Sequence, residues 1–144
     1  MMSLRPHHIL CAIGFEGEGY DDAHAANMSH VVSNRLRAPR GASERVIITG
    51  HADTICAPCP KRRGMGCEDQ ARIDRTDAAH AGALGVAAGQ IYGWGDLVDR
   101  VTERIRPEDL DRICLGCRWL EAGFCKDALR ALLAQRADEA STGR

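Results

Sequence analysis

Residues 53–69 read DTICAPCPKRRGMGCED, and residues 111–127 read DRICLGCRWLEAGFCKD. One spacing, C-x2-C-x7-C, therefore occurs twice, as Cys56, Cys59 and Cys67 and again as Cys114, Cys117 and Cys125. A cysteine pair two residues apart turns both sulfurs toward a single ion or cluster, and a third thiolate arriving from a seven-residue loop nearly closes a four-ligand shell. Asp53 and Asp111, Ile55 and Ile113, and Asp69 and Asp127 hold matching places, so each segment is D-x-I-C-x2-C-x7-C-x-D. Shared entry and exit residues suggest two copies of one structural unit.

The rest of the chain gives these cysteines something to stabilise. At 144 residues it suits one domain, here 1–136 with a frayed tail at 137–144, but only Phe15, Tyr20, Tyr92, Trp94, Trp119 and Phe124 supply aromatic bulk. A formal net charge of -1 gives no global electrostatic case for nucleic acid or an anionic membrane as partner. The apolar run from Ile9 to Phe15 is too short to span a bilayer and lacks a basic flank, so neither a membrane span nor a signal peptide is expected. Seven cysteines are an odd number, and in a cytoplasmic, reducing setting such spacings favour metal over disulfides.

Outward from residue 53, Val46-Ile47-Ile48-Thr49 is the one convincing strand, and it delivers the chain into the first cysteine unit. Before it, Asp21 and Asp22 start a helix to about Arg37 with Met28, Val31, Val32 and Leu36 inward. Pro6 opens a shorter one through Leu10 and Cys11 that ends near Gly14. After Cys67 an Ala-rich helix runs from Glu68 to about Leu84, stopped by Gly85 and Gly89. Asp96 then reads as a cap for a helix carrying Leu97, Val98, Val101 and Ile105, and Pro107 starts a short helix that delivers Cys114. A last amphipathic helix from Asp127 carries Leu129, Leu132 and Leu133. The expected fold class is mainly α, an α+β arrangement with a minimal strand element.

Ligand counting sharpens the reading. Each triad offers three thiolates where a zinc ion or a 4Fe-4S cluster takes four, and Cys11 is the only spare cysteine. His7 and His8 precede Cys11 by one helical turn and share its face, and His51 stands near Cys56, so these histidines are the candidates for a remaining ligand or its immediate support. Cys67 and Cys125 each sit where a helix begins, and free backbone N-H groups there favour a thiolate. Zinc ribbons commonly pair one C-x2-C with another, whereas three cysteines plus one suits a cluster better. The basic stretch Lys61-Arg62-Arg63 in the first loop, like Arg118 beside Trp119 in the second, reads as solvated charge or as an offset to metal-bound thiolate.

With these residues laid out, the chain resembles a small prokaryotic family catalogued as domain of unknown function 1284. The resemblance rests on Leu4-Arg5-Pro6-His7-His8-Ile9-Leu10-Cys11, Gly19-Tyr20, Asn27-Met28, Ile55-Cys56 with Cys59-Pro60, Trp94, and Cys114, Cys117, Trp119 and Gly123-Phe124-Cys125. It implies iron-sulfur binding and names no reaction. One departure is Met65, which takes the place that Gly123 holds in the second unit.

Three functions are consistent with these residues. The first is an iron-sulfur protein, with a 4Fe-4S cluster, for electron transfer to a redox partner or for redox sensing, a role that needs no acid/base constellation. The second is a zinc-stabilised module that binds a protein or nucleic acid. The third is a metal-dependent enzyme in which His7 or His8 completes an open site and Arg5 clamps an anion.

Overall fold

The computed structural model describes residues 1–17, 19–114 and 123–142. Its centre is a short helix, α1 (Pro6–Gly14), entered from a strand, β1 (Met2–Leu4). Pro6 occupies the first turn, where a missing N-H costs nothing and the fixed φ suits the helix. Ile9, Leu10, Ala12 and Gly14 are buried, because α1 is covered by α3 (Gln70–Leu84) on one side and by α6 (Phe124–Thr142) on another. A Cβ on Gly14 would lie 3.0 Å from both the Cα and the Sγ of Cys125, so only glycine lets α6 come this close.

Strand β2 (Arg45–Ile48) lies between β1, which it meets in parallel, and β5 (Ile91–Gly93), which it meets antiparallel, with Ser3 opposite Ile47 and Val46 opposite Tyr92. Val46 and Ile48 point into the core and Arg45 outward, the alternation of a sheet with one covered face. Only β2 has a sequence signature. The flanking strands have three residues each, too short for periodicity to show.

Asp21 caps α2 (Asp22–Met28) by accepting the His24 N-H at 2.8 Å, and the helix then widens into a π-helical segment, Ser29–Leu36. The sequence pattern, one continuous helix to Arg37, does not distinguish these two windings. The Arg37 guanidinium that follows donates to the carbonyls of Ala12, Ile13 and Phe15, satisfying the open C-terminal end of α1.

Helix α3 ends on Gly85, which adopts the left-handed conformation at φ 69° and returns its N-H to the Ala81 carbonyl at 2.8 Å. Helix α4 (Trp94–Arg104) begins earlier than the sequence indicates: Gly93 holds the cap position and Asp96 lies in the first turn. A 3-10 turn at Pro107–Asp109 leads into α5 (Leu110–Ile113), which delivers Cys114 as expected. Helix α6 begins at Phe124 and continues through 137–142, the part the sequence leaves as tail. The fold is mainly helical with a small strand element.

Candidate metal centre

The loop after β2 carries the first cysteine triad, and Asp53 shapes it. Its Oδ1 accepts the N-H groups of Ile55 and Cys56, both at 2.9 Å, folding the chain into a turn that presents Cys56. Its Oδ2 reaches across to α1, accepting the Arg5 N-H at 2.6 Å and lying 2.6 Å from His8 Nδ1. A tight turn from Cys56 O to the Cys59 N-H, 2.9 Å, places the second thiol. A hairpin of β3 (Arg62–Arg63) and β4 (Gly66–Cys67), turning on Gly64 at φ +58°, brings Cys67 back to the start of α3. There the Asp69 N-H points at the Cys67 sulfur at 3.5 Å, the backbone donor expected where a helix begins. The Met65 departure is absorbed one residue away, since Gly64 takes the positive φ here and Gly123 takes it in the second unit.

Cys11, Cys56, Cys59 and Cys67 line a single cavity of about 370 Å³ between α1, the entry to α2, the cysteine loop and the first turns of α3. Arg5, His7 and His8 share its wall with Tyr20, His24, Lys61, Asp69 and Arg72. The N-terminal segment thus shares a cavity with the first triad, a choice between the two triads that the helical spacing of His7, His8 and Cys11 does not make. His51 is exposed in the preceding turn and is not on the cavity wall. Each histidine of the pair on α1 is held by a carboxylate through Nδ1: His8 by Asp53 at 2.6 Å and His7 by Asp77 at 2.5 Å. A carboxylate bond to one ring nitrogen fixes the tautomer that leaves the other free as a ligand or acceptor.

The electrostatics follow from burial. Burial by itself would raise the Asp53 pKa, yet His8 beside it and the N-H donors of Arg5 and Cys56 hold the carboxyl well below the usual range. Burial, with His8 adjacent, lowers the His7 pKa against the pull of Asp77. Cys56 is pushed up to about 12 by burial and then by Asp53, so in the metal-free chain it is a thiol, and metal ligation there displaces a proton. Arg5 is 1% exposed; its Nη1 donates to Asp77 at 2.9 Å and its Nε has no partner.

His8, Asp53 and Cys56 bring ligand atoms within 4.8 Å of one another. Asp53 is nonetheless spent, because all four of its lone-pair directions are engaged by Arg5, His8, Ile55 and Cys56. It orients the two potential ligands and is not itself one.

The described members of the second triad lie outside this cavity. Cys114 and Cys125 are buried and do not line the cavity, while Cys117, Arg118 and Trp119 fall outside the described residues. Its entry residues also fold differently. Asp53-Thr54-Ile55 is a turn, whereas Asp111-Arg112-Ile113 belongs to α5, where Asp111 is exposed and pairs with Lys126 at 2.6 Å. At their entries the matching segments are therefore not copies of one structural unit. Asp69 caps nothing with its side chain and pairs instead with Lys61 at 3.2 Å and Arg72 at 3.4 Å. None of the described cysteines forms a disulfide.

Asp77, which holds Arg5 and His7 beside the cavity, and the buried His80 are residues that spacing within the cysteine segments does not reveal. Ile73, Asp77, His80 and Leu84 recur at helical spacing on α3, and both polar members are buried on the stripe that meets α1. Two ionisable residues within an otherwise apolar stripe were a legible signal.

The family described as Protein of unknown function (DUF1284) matches residues 19–123. The chain belongs to this family. The match starts at Gly19, so the resemblance noted for Leu4–Cys11 lies outside it, although that segment forms one wall of the cavity. Comparison with curated proteins and with solved structures gives no match. No described helix is long and apolar enough to cross a membrane.

Proposed function

We propose that this chain is an iron-sulfur protein, working in electron transfer or redox sensing, with Cys11, Cys56, Cys59 and Cys67 holding a 4Fe-4S cluster. The observation that carries the reading is that these four thiols border one cavity, the number a cubane cluster takes. The donor set fits the group in its charge as well. Four thiolates and a cluster concentrate negative charge, and Arg5 and Lys61 on the same wall offset it, as does the Asp69 N-H at Cys67. When bound, such a cluster supplies one-electron chemistry; the chain's own contribution is to fix the thiols, limit water and set the surrounding charge.

A zinc site drawing on Cys56 and His8 is the second reading, favoured by the closeness of His8, Asp53 and Cys56. It is the weaker because Asp53 has no lone pair to give. An enzyme using Arg5, His7 and His8 needs an open ligand position in the same cavity, and those residues are on its wall.

Anaerobic purification followed by iron, acid-labile sulfide and zinc analysis tests the proposal. Iron and sulfide in near-equal amounts with visible absorption are expected. Cys11→Ser, Cys56→Ser, Cys59→Ser and Cys67→Ser should each lower the iron content severalfold. A colourless protein carrying only zinc would overturn the cluster, and retention of full iron by Cys11→Ser would remove Cys11 from the ligand set.

A further inference from the structure

Three cations line the cavity, and only Arg5 is buried: it is 1% exposed, against side-chain exposures of 32% for Lys61 and 36% for Arg72. Its guanidinium is only partly used. Nη1 donates to Asp77 at 2.9 Å, Nη2 lies 3.5 Å from Gln70 Oε1, at the outer limit of a hydrogen bond, and the buried Nε has no hydrogen-bond partner. The backbone decides what stands beside it. Asp53 accepts the Arg5 N-H at 2.6 Å through Oδ2 and the Cys56 N-H at 2.9 Å through Oδ1, so one carboxylate clasps both residues. The Arg5 guanidinium accordingly interacts with the Cys56 side chain as well as with Asp77.

The Cys56 sulfur also faces the Asp53 carboxylate, which disfavours a thiolate there. Metal ligation requires the thiolate, and so sets two negative groups side by side unless a cation and a donor are at hand. Cys67 has a backbone donor in the Asp69 N-H, whereas the backbone N-H of Cys56 is spent on Asp53. The donor for Cys56 therefore comes from a side chain, and a buried guanidinium with an unused N-H supplies charge and hydrogen bond together. We propose that Arg5 Nε donates a hydrogen bond to Cys56 Sγ when that sulfur is a cluster ligand, and that this bond raises the reduction potential. The assignment rests on the reading of the cavity as a 4Fe-4S site. An added electron puts more charge on the sulfurs, so a donor at one of them stabilises the reduced form. Asp77, which fixes the guanidinium through Nη1, is then a positioning residue.

Redox titration of the cluster-loaded chain at low and high salt, after iron and sulfide have been counted, tests this. Arg5→Lys keeps the charge for Asp77 but removes Nε; it should lower the reduction equilibrium about tenfold, which is about 59 mV for a one-electron couple, at both salt concentrations. Lys61→Gln should shift the midpoint less, and only at low salt, because that cation is partly exposed and screened. A full cluster with an unchanged Arg5→Lys midpoint, or a shift that disappears at high salt, overturns this assignment alone. A wild-type chain without iron and sulfide overturns the cluster and the assignment with it. Should Arg5→Lys fail to fold or to load, wild type labelled with heavy nitrogen at arginine Nε decides. The reduced cluster should then show a hyperfine coupling to that nitrogen, and the coupling should persist in Arg72→Lys, which removes the other arginine on the wall. Without that coupling Arg5 is held only for its pair with Asp77, and the proposal fails.

Discussion

Asp53 is the residue on which the cavity turns. One carboxylate satisfies two backbone donors of the cysteine loop, one backbone donor at the head of α1, and a histidine ring. Replacing it by asparagine turns one acceptor oxygen into a donor facing the Arg5 N-H and His8. Asp53→Asn should therefore destabilise the metal-free chain by about 3 kcal/mol, the range for a buried charged hydrogen-bond network left unpaired. Asp111→Asn, at the matching place in the second segment, should change stability by less than about 0.5 kcal/mol, since that carboxylate is exposed. Urea unfolding of both variants checks the contrast, and equal effects would show that Asp53 is no more than a surface turn residue. Sequence identity could not separate the two aspartates, because D-x-I-C is compatible with an aspartate-capped turn and with the last turn of a helix. What decides is whether α1 lies close enough to supply more donors.

Among the elements, α1 packs against α3, α4 and α6, and its far end depends on a glycine. Gly14→Ala would drive a methyl group to 3.0 Å from the Cys125 backbone, so α6 must retreat; a loss of about 1–3 kcal/mol is expected in denaturant melts. Gly82→Ala on α3 is the control. Its Cβ would meet nothing within 4 Å, and removing glycine from an exposed helix interior should gain about 0.5–1 kcal/mol. A Gly14→Ala chain as stable as wild type would contradict the close packing of α1 on α6. The long helices were readable in the sequence because their apolar spacing and their stops, Gly85 among them, are local. Strands β1 and β5 were not, because a three-residue strand acquires its identity only from the partner it pairs with, and β2 is that partner for both. The cavity was half legible. Spacing singled out both cysteine triads with Cys11, His7 and His8 but not which triad α1 meets, and Asp77 comes from a helix whose register against α1 no local pattern records.

Across the whole molecule, the buried ionisable groups all act in one direction as acid is added. His80 has its pKa pushed down to about 3 by burial and by the neighbouring His7, against about 6.5 for a histidine in the unfolded chain. The folded state thus keeps His80 neutral while the unfolded state takes up a proton. The stability this represents is full above about pH 6.5 and is lost as the pH falls toward 3. Asp53 and Asp77, both held below the usual carboxylate range, add to the loss only below about pH 4, where the unfolded chain begins to bind their protons. Two stages are therefore expected in a chelator-treated chain: a decline in urea midpoint between about pH 6.5 and 4.5 carried by histidine, and a steeper one below. His80→Phe, which keeps a buried ring and removes one titrating group, should make the first stage shallower, with His7 and His24, whose pKa values burial also lowers, carrying what remains, and leave the second. A wild-type midpoint that stays constant from pH 7 to 4.5, or a His80→Phe profile with the wild-type slope, would show that burial of His80 does not set the acid stability of the fold.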